Sequence, residues 1–254
     1  MKYLRLAAIS FAVVFVVLLL RHKEAKPILP KINLPNLATM IDDILEIDSY
    51  PGFTVVTDDD KDTHKCVGEI FTADGPFIGS GTLIAPKVVV TAAHVIKGSD
   101  LEYFRTNNQC YKIRKSVAHP DYTEEGSGKN DIGLLFLEEA CPETPAVLQT
   151  DPEDLKRGEL LTTVGFSHKI KKISNEHTFW YYGTIVEQPT YIRFLAYKGN
   201  IWLGDSGGAV FEDGGKLTGV ISALMIMEYS VVDQIATRVD LYVPWITQME
   251  KINE

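Results

Sequence analysis

Residues 204–210 are the stretch of this chain whose residue types are most suited to chemistry. They read Gly-Asp-Ser-Gly-Gly-Ala-Val, so glycines stand on both sides of a single serine. Glycine adopts backbone angles that are closed to residues with a Cβ, and it lets a substrate carbonyl approach the chain closely. Such a turn can present the Ser206 hydroxyl as a nucleophile, with the amide N–H groups of Gly204 and Ser206 placed to stabilise an oxyanion. A purely structural glycine turn is the alternative interpretation.

A serine hydroxyl becomes a nucleophile only beside a base, and two other segments supply the missing groups. Residues 91–94 read Thr-Ala-Ala-His and offer His94 as the general base. Residues 130–135 read Asn-Asp-Ile-Gly-Leu-Leu and offer Asp131 as the carboxylate that orients it. The order His94, Asp131, Ser206 is one of the three chain orders in which this triad occurs. The other histidines are predicted to be surface or structural residues, and no His-Glu-x-x-His motif or Cys/His cluster predicts a metal.

With these segments the chain resembles the trypsin/chymotrypsin family of serine endopeptidases. The resemblance runs from about residue 67 to residue 252 and includes the closing segment 237–246, Thr-Arg-Val-Asp-Leu-Tyr-Val-Pro-Trp-Ile. It implies an all-β, chymotrypsin-like fold of two six-stranded antiparallel barrels. His94 and Asp131 would lie in the first barrel and Ser206 in the second, with the site in the cleft between them. The implied activity is hydrolysis of a polypeptide substrate through an acyl-enzyme, with no cofactor.

The resemblance also assigns substrate-pocket positions, and here the chain departs from the digestive enzymes. Asn200 stands at the pocket base where trypsin-like members have an aspartate, and Leu224 and Gln234 replace the wall glycines. Ser222, in the same wall strand as Leu224, is expected to hydrogen-bond Asp131. A neutral base leaves a desolvated cationic side chain without a partner, and bulky walls shorten the pocket. The predicted preference is a small aliphatic or neutral residue before the scissile bond, unless the alignment slips around residues 228–233.

The three cysteines do not match the disulfide framework of the vertebrate members. Cys110 and Cys141 flank the hairpin whose loop carries Asp131. If Lys115 faces Phe136, the same register brings Cys110 opposite Cys141, and a disulfide in an oxidising compartment is predicted. Cys66 is then left as a buried thiol.

The resemblance fails at activation. Zymogens of the family are cut to release an Ile or Val amine, which pairs with the acid before the catalytic serine, here Asp205. No Ile-Val-Gly-Gly string precedes Cys66, and Val55-Val56 and Val67-Gly68 are the nearest substitutes. The acidic run at 58–62 resembles an activation-peptide site, although a solvated loop is the favoured interpretation. The alternative to an active endopeptidase is therefore a catalytically idle homologue that acts as a tethered or secreted binding module. Its cleft would be blocked by Leu224 and by the unreleased N-terminal segment.

Composition excludes several classes of protein. The chain has 254 residues, of which 45% are apolar and 23% charged, as expected for a folded protein rather than a disordered one. Its net charge is −9 and it has no basic stripe, which argues against a nucleic-acid partner. Composition leaves the oligomeric state undetermined.

Residues 1–26 are predicted to be a signal sequence or a membrane anchor. Lys2 and Arg5 precede an uncharged run at 6–20, which is followed at once by Arg21-His22-Lys23. As a helix this run spans about 22 Å, short of a hydrocarbon core of about 30 Å, which favours a cleaved signal. No small-x-small cleavage site follows the run, which favours an uncleaved anchor facing the extracytoplasmic side. Both interpretations predict an exported protein, and a buried core helix is the third.

The rest of the chain divides by composition into a spacer and a catalytic domain. Residues 27–62 combine a proline-rich stalk, a short amphipathic helix and the acidic loop. Residues 63–254 are predicted to form the protease domain, with barrels at about 63–150 and 151–240 and a terminal helix at 243–252. Short β-branched and aromatic runs between turn residues predict ten strands. These are at 66–72, 78–84, 87–91, 110–118, 132–137, 160–164, 179–187, 209–212, 217–227 and 233–239.

Overall fold

The computed structural model describes residues 64–124, 129–151, 155, 158–167, 170–182, 190–196, 201–227 and 230–253. The predicted N-terminal hydrophobic helix and the spacer at 27–62 lie outside these residues, as do Asn200 and the acidic run. Within the described ranges, no helix combines the length and the apolar character needed to cross a membrane.

Six strands form the first barrel, which closes on itself in the order β1-β2-β3-β6-β5-β4. Its side chains meet in a core that includes Ile70, Leu83, Val89, Phe104 and Leu134, all fully buried. Short β-branched runs such as Val-Val-Val-Thr in β3 suit such a ring, because each strand is covered on its inner face. The strands are β1 Val67–Thr72, β2 Phe77–Ala85, β3 Val88–Thr91, β4 Leu101–Thr106, β5 Gln109–Ala118 and β6 Gly133–Leu137.

The second barrel closes in the order β10-β11-β12-β9-β8-β7. Leu161, Ile192, Phe194, Val210 and Ile221 form part of its core. Antiparallel pairing of β10 with β7 completes the ring. The strands are β7 Leu160–Ser167, β8 Ile170–Tyr182, β9 Tyr191–Ala196, β10 Ala209–Glu212, β11 Leu217–Met227 and β12 Ser230–Arg238.

Two short helices complete the described structure. The four-residue helix α1, Ala93–Ile96, follows β3 directly. A 3-10 turn at Asp240–Tyr242 leads into α2, Val243–Asn253, where Ile246 is buried. The predicted β-rich architecture and C-terminal helix are thus confirmed.

The strand predictions missed β4 and β9 and displaced β8. Charged residues interrupt the apolar pattern in β4, Leu-Glu-Tyr-Phe-Arg-Thr, so its sequence alone did not indicate a strand. In β8 the long polar run before Phe179 hid the first part of the strand. Closure of each ring requires these strands, and this long-range pairing overrides their local composition.

The predicted disulfide between Cys110 and Cys141 is wrong. Lys115 does face Phe136, but a β-bulge between Ile113 and Lys115 shifts the register towards the open end of the hairpin. The pairing of β5 with β6 ends at Ile113 and Leu137, so no residue of β6 lies opposite Cys110. On the other edge of β5, Cys110 pairs with Arg105 of β4, and it is exposed. Cys141 is buried beyond the end of β6, where its N–H donates to the Pro86 carbonyl at 2.7 Å. Cys110 and Cys141 are thus not bridged to each other, and Cys66 is buried as predicted.

The proposed substitute N-terminus at Val67-Gly68 is also wrong. Val67 is buried as the first residue of β1, and its N–H donates to the His64 carbonyl at 3.0 Å. Gly68 pairs with Gly81, and a Cβ on Gly68 would overlap the Arg105 carbonyl oxygen. These residues are thus built into the barrel wall and cannot swing away to reach Asp205. The other substitute, Val55-Val56, lies outside the described residues.

Candidate active site

His94 and Asp131 form a hydrogen-bonded pair at one end of the first barrel. His94 lies on α1, and Asp131 lies just before β6. The ring nitrogen Nδ1 of His94 is 2.8 Å from Oδ2 of Asp131, and the backbone N–H of His94 donates to Oδ1 at 2.9 Å. The two bonds fix both the ring and the backbone of His94 on one carboxylate. The His94 side chain remains 20% exposed, so a reactant can still reach it.

The second barrel completes the environment of Asp131. The Ser222 hydroxyl, on β11, donates to Oδ2 of Asp131 at 2.6 Å, the hydrogen bond that the family resemblance predicted. The Thr237 hydroxyl, on β12, donates to the backbone carbonyl of Asp131 at 2.8 Å. On the other side, the Tyr242 hydroxyl donates to Oδ1 of Asn130, whose φ of 54° turns the chain into the site. The Asp131 carboxylate is therefore held in one orientation by groups from both barrels, His94 and Ser222.

Asp131 controls the charge of His94. Burial lowers the pKa of His94, but the charge of Asp131 and its hydrogen bond together raise the pKa above the usual histidine value of 6.5. The ring therefore takes up a proton more readily than an ordinary histidine would. This is the behaviour needed of a group that accepts a proton and later returns it.

We expect Asp131→Asn to reverse the direction of this shift. With the carboxylate gone, burial is the remaining cause, so the pKa of His94 should fall below the usual histidine value. NMR titration of the ring protons measures it directly. His119 is the internal control, because burial lowers its pKa and Asp121, not Asp131, opposes that effect. An unchanged His94 pKa in the variant would contradict the assignment of Asp131 as its controlling partner.

Ser206 lies in a tight turn between the two barrels, at residues 202–208, which we call the serine turn. Gly204 and Gly207 have φ angles of +100° and +83°, a region that favours glycine. The turn is closed by its own backbone, since the Asp205 N–H donates to the Trp202 carbonyl at 3.0 Å. The Gly208 N–H donates to the Asp205 carbonyl at 2.8 Å. Oδ2 of the buried Asp205 accepts the Trp202 N–H at 2.7 Å.

The serine turn is packed against the segment that carries His94. A Cβ on Gly207 would overlap the Thr91 hydroxyl, and the Ala92 nitrogen is 3.1 Å from the same position. A Cβ on Gly79 would be 3.0 Å from both the Ser206 carbonyl oxygen and a methyl group of Val95, the residue after His94. The backbone of Ser206 is therefore a close neighbour of residues on either side of His94.

Two amide groups of the serine turn are available to a ligand. Among the described residues, the N–H groups of Gly204 and Ser206 donate to no acceptor. These are the two donors that the sequence predicts for an oxyanion. A preorganised pair of this kind favours negative charge on a bound carbonyl oxygen.

Three of the four predicted pocket residues lie in the described part of the chain. Gln234 is buried on β12, and its Oε1 accepts the N–H of Ile201 at 2.7 Å, beside the start of the serine turn. Leu224 pairs with Gln234 in the register of β11 and β12. Asn200 lies outside the described residues. Ser222 points to Asp131, so it supports the pair described above.

Sequence reasoning missed two serines that contact the serine turn. The Ser80 hydroxyl donates to the Gly204 carbonyl at 2.8 Å, and the Ser167 hydroxyl donates to the Leu203 carbonyl at 3.2 Å. A signal existed for Ser80, because Gly79 and Gly81 flank it inside a strand, and glycine there indicates close approach of another backbone. The sequence around Ser167 carried no such signal.

Comparison with known proteins identifies the family and the fold. A family model described as Trypsin matches residues 58–246. Among solved structures, a kallikrein-related peptidase 10 complex with Zn²⁺ is 22% identical with a TM-score of 0.60, covering 74% of this chain and 95% of that one. Neuropsin, a serine protease expressed in the limbic system of mouse brain, is 19% identical with a TM-score of 0.65, covering 78% and 98%. These two structures show that the fold is chymotrypsin-like.

Curated relatives match over shorter segments. A complement C1r subcomponent-like protein of Rattus norvegicus is 33% identical over 89 residues, covering 28% of this chain and 19% of the relative. A probable periplasmic serine endoprotease DegP-like protein of Marinomonas sp. (strain MWYL1) is 26% identical over 148 residues, covering 58% and 30%. The chain thus spans less than a third of the length of either curated relative.

Proposed function

We propose, because the chain belongs to the trypsin family of serine proteases, that it is an endopeptidase with Ser206 as its nucleophile. The observation that carries the proposal is the 2.8 Å bond between His94 and Asp131. It lies beside a glycine turn that presents one serine and two available amide groups. The residue types, their order and their surroundings all suit acyl transfer.

Each group has a defined part in the reaction. His94 accepts the Ser206 hydroxyl proton while the oxygen attacks the scissile carbonyl carbon, and the resulting oxyanion is held by the N–H groups of Gly204 and Ser206. Protonated His94 then gives its proton to the departing amine, leaving an ester on Ser206. Water, deprotonated by His94, hydrolyses that ester and regenerates the serine. Asp131 holds the ring tautomer and stabilises the imidazolium in both halves.

The pocket residues support a preference for small neutral side chains. Gln234 is an uncharged side chain held against the backbone that leads into the serine turn, and Leu224 lies opposite it in the sheet. Neither residue type carries a negative charge, and neither does Asn200, which the family resemblance assigns to the pocket base. A lysine or arginine side chain would lose its hydration there without gaining an ionic partner.

We also propose that the protein acts outside the cytoplasm. The uncharged run at 6–20 behind Lys2 and Arg5 supports export, by a cleaved signal or as an anchor. The name of the Marinomonas relative describes it as periplasmic.

Cleavage-site profiling on a peptide library tests the activity and the preference together. We expect cleavage after Ala or Val to exceed cleavage after Arg or Lys by roughly a hundredfold in kcat/KM, because the desolvated cation lacks a partner. Gln234→Asp should reduce this difference in kcat/KM, because it places a carboxylate at the predicted pocket wall. Ser206→Ala is the control, because any cleavage that remains in its preparation comes from contaminating peptidases. A profile dominated by basic residues would contradict the preference, and absence of cleavage by the wild type would favour the idle homologue.

A further inference from the structure

We propose that two serines outside the triad, Ser80 and Ser167, are positioning residues that hold the serine turn in its anion-binding orientation. The inference rests on the proposed function, because the orientation of the turn serves to bind an oxyanion. The contacts that hold the turn can be tested separately. Both serines are fully buried, and each comes from a different barrel.

Ser80, on β2, ties both ends of the Gly204-Asp205-Ser206 segment to the first barrel. Its hydroxyl donates to the Gly204 carbonyl at 2.8 Å and accepts the Phe166 N–H at 2.9 Å. Its backbone N–H donates to the Ser206 carbonyl at 2.8 Å. The hydroxyl is therefore used as both donor and acceptor, which leaves it little freedom to rotate.

Ser80 is itself fixed from the opposite side. The Thr91 hydroxyl donates to the Ser80 carbonyl at 2.7 Å, and Thr91 ends the strand that leads into the His94 helix. One buried chain of hydrogen bonds thus joins the His94 segment, Ser80 and the serine turn. Such a chain keeps the base and the nucleophile in a constant relation.

Ser167, the last residue of β7, acts on the other side of Gly204. Its hydroxyl donates to the Leu203 carbonyl at 3.2 Å. A trans peptide directs its C=O and N–H to opposite sides, so holding the Leu203 carbonyl also sets the direction of the Gly204 N–H. In the same way, the bond from Gly208 to the Asp205 carbonyl sets the direction of the Ser206 N–H.

The chemistry needs this support because the turn is built on glycine. A glycine at φ +100° has other accessible conformations, and rotation of either adjoining peptide would turn a donor away from the oxyanion. Catalytic stabilisation by amide groups requires that they be oriented before the charge develops. Hydroxyls already present in the folded barrels supply that orientation without any cleavage of the chain.

Kinetics of Ser80→Ala and Ser167→Ala test the proposal. Ser80→Ala removes the hydroxyl but keeps the backbone N–H bond to Ser206. We expect kcat to fall roughly ten- to hundredfold in each variant while KM stays close to that of the wild type. Affinity for a peptide boronic acid, whose adduct with the serine is tetrahedral, should fall with kcat. The control is Thr82→Val, two residues along β2, whose buried hydroxyl has no hydrogen-bond partner among the described residues.

Hydrogen exchange gives a readout that does not need activity. The amides of Asp205 and Gly208 donate within the turn, and that of Gly207 donates to the Ile221 carbonyl of β11. All three should exchange faster in both serine variants, with the rest of the barrels unchanged. A lowered melting temperature with wild-type kcat, boronate affinity and turn exchange would overturn the proposal. If the wild type neither cleaves peptides nor binds the boronate, the proposed function fails. The exchange comparison then still decides whether the hydroxyls hold the turn.

Discussion

We expect His94→Ala and Ser206→Ala each to lower kcat for peptide hydrolysis by roughly 10⁴- to 10⁶-fold, and the double variant to be scarcely worse than either. The reason is that the hydroxyl is inert without its base, and the base has no proton to accept without the hydroxyl. The 2.8 Å bond from His94 to Asp131 already prepares the ring for this role. Single-turnover assays on one good peptide substrate measure the three rates.

The matched control is Ser116→Ala, which removes an exposed serine hydroxyl on β5. It should keep wild-type kcat and KM. If the losses in His94→Ala and Ser206→Ala multiply in the double variant, the two residues act independently. That result would contradict a shared mechanism.

Among glycine-to-alanine substitutions at the described residues of the site, Gly207→Ala should lower the stability of the fold most. The new Cβ would overlap the Ser80 carbonyl oxygen and the Thr91 hydroxyl, in a backbone with φ +83°. Both obstacles belong to the hydrogen-bond chain between the barrels, so neither can move without breaking a buried bond. We expect a loss of roughly 4 kcal/mol or more in the free energy of unfolding. The melting temperature should fall by roughly 10 °C.

Gly215→Ala separates backbone strain from overlap. Gly215 has nearly the same angle, φ +81°, but no atom lies within 4 Å of its added Cβ. Strain alone should cost about 1 to 2 kcal/mol. Denaturant unfolding of both variants measures the difference. Equal losses at the two positions would contradict the packing described for the serine turn.

The site residues that lie in compact local motifs could be predicted from the sequence. The glycines around Ser206 predict a backbone conformation that other residues rarely adopt, and the positive φ angles of Gly204 and Gly207 confirm it. The bond from Ser222 to Asp131 followed from the family resemblance alone. In these cases a short string of residues carries the whole physical requirement.

Features that depend on long-range pairing could not be predicted. The bulge before Lys115 is invisible in the sequence, as is the end of the β5–β6 pairing at Ile113 and Leu137, and together they leave Cys110 and Cys141 unpaired in the sheet. β4 is a strand because it lies between β1 and β5 and pairs with both, although its own composition is mixed. Ser167 resembles any other buried serine until the barrels close around the serine turn. The glycines beside Ser80 indicate a close backbone approach, but they do not indicate that the serine turn is the segment that approaches.

Labelling with a fluorophosphonate probe tests the central proposal most directly, because it needs no knowledge of the substrate. The probe forms a covalent bond only with a serine hydroxyl that is activated by its surroundings. We expect the wild-type chain to be labelled at Ser206, with a rate that rises as His94 loses its proton, and Ser206→Ala to remain unlabelled. A folded wild-type protein that is not labelled, or one labelled at another serine, would contradict the assignment of Ser206 as the nucleophile.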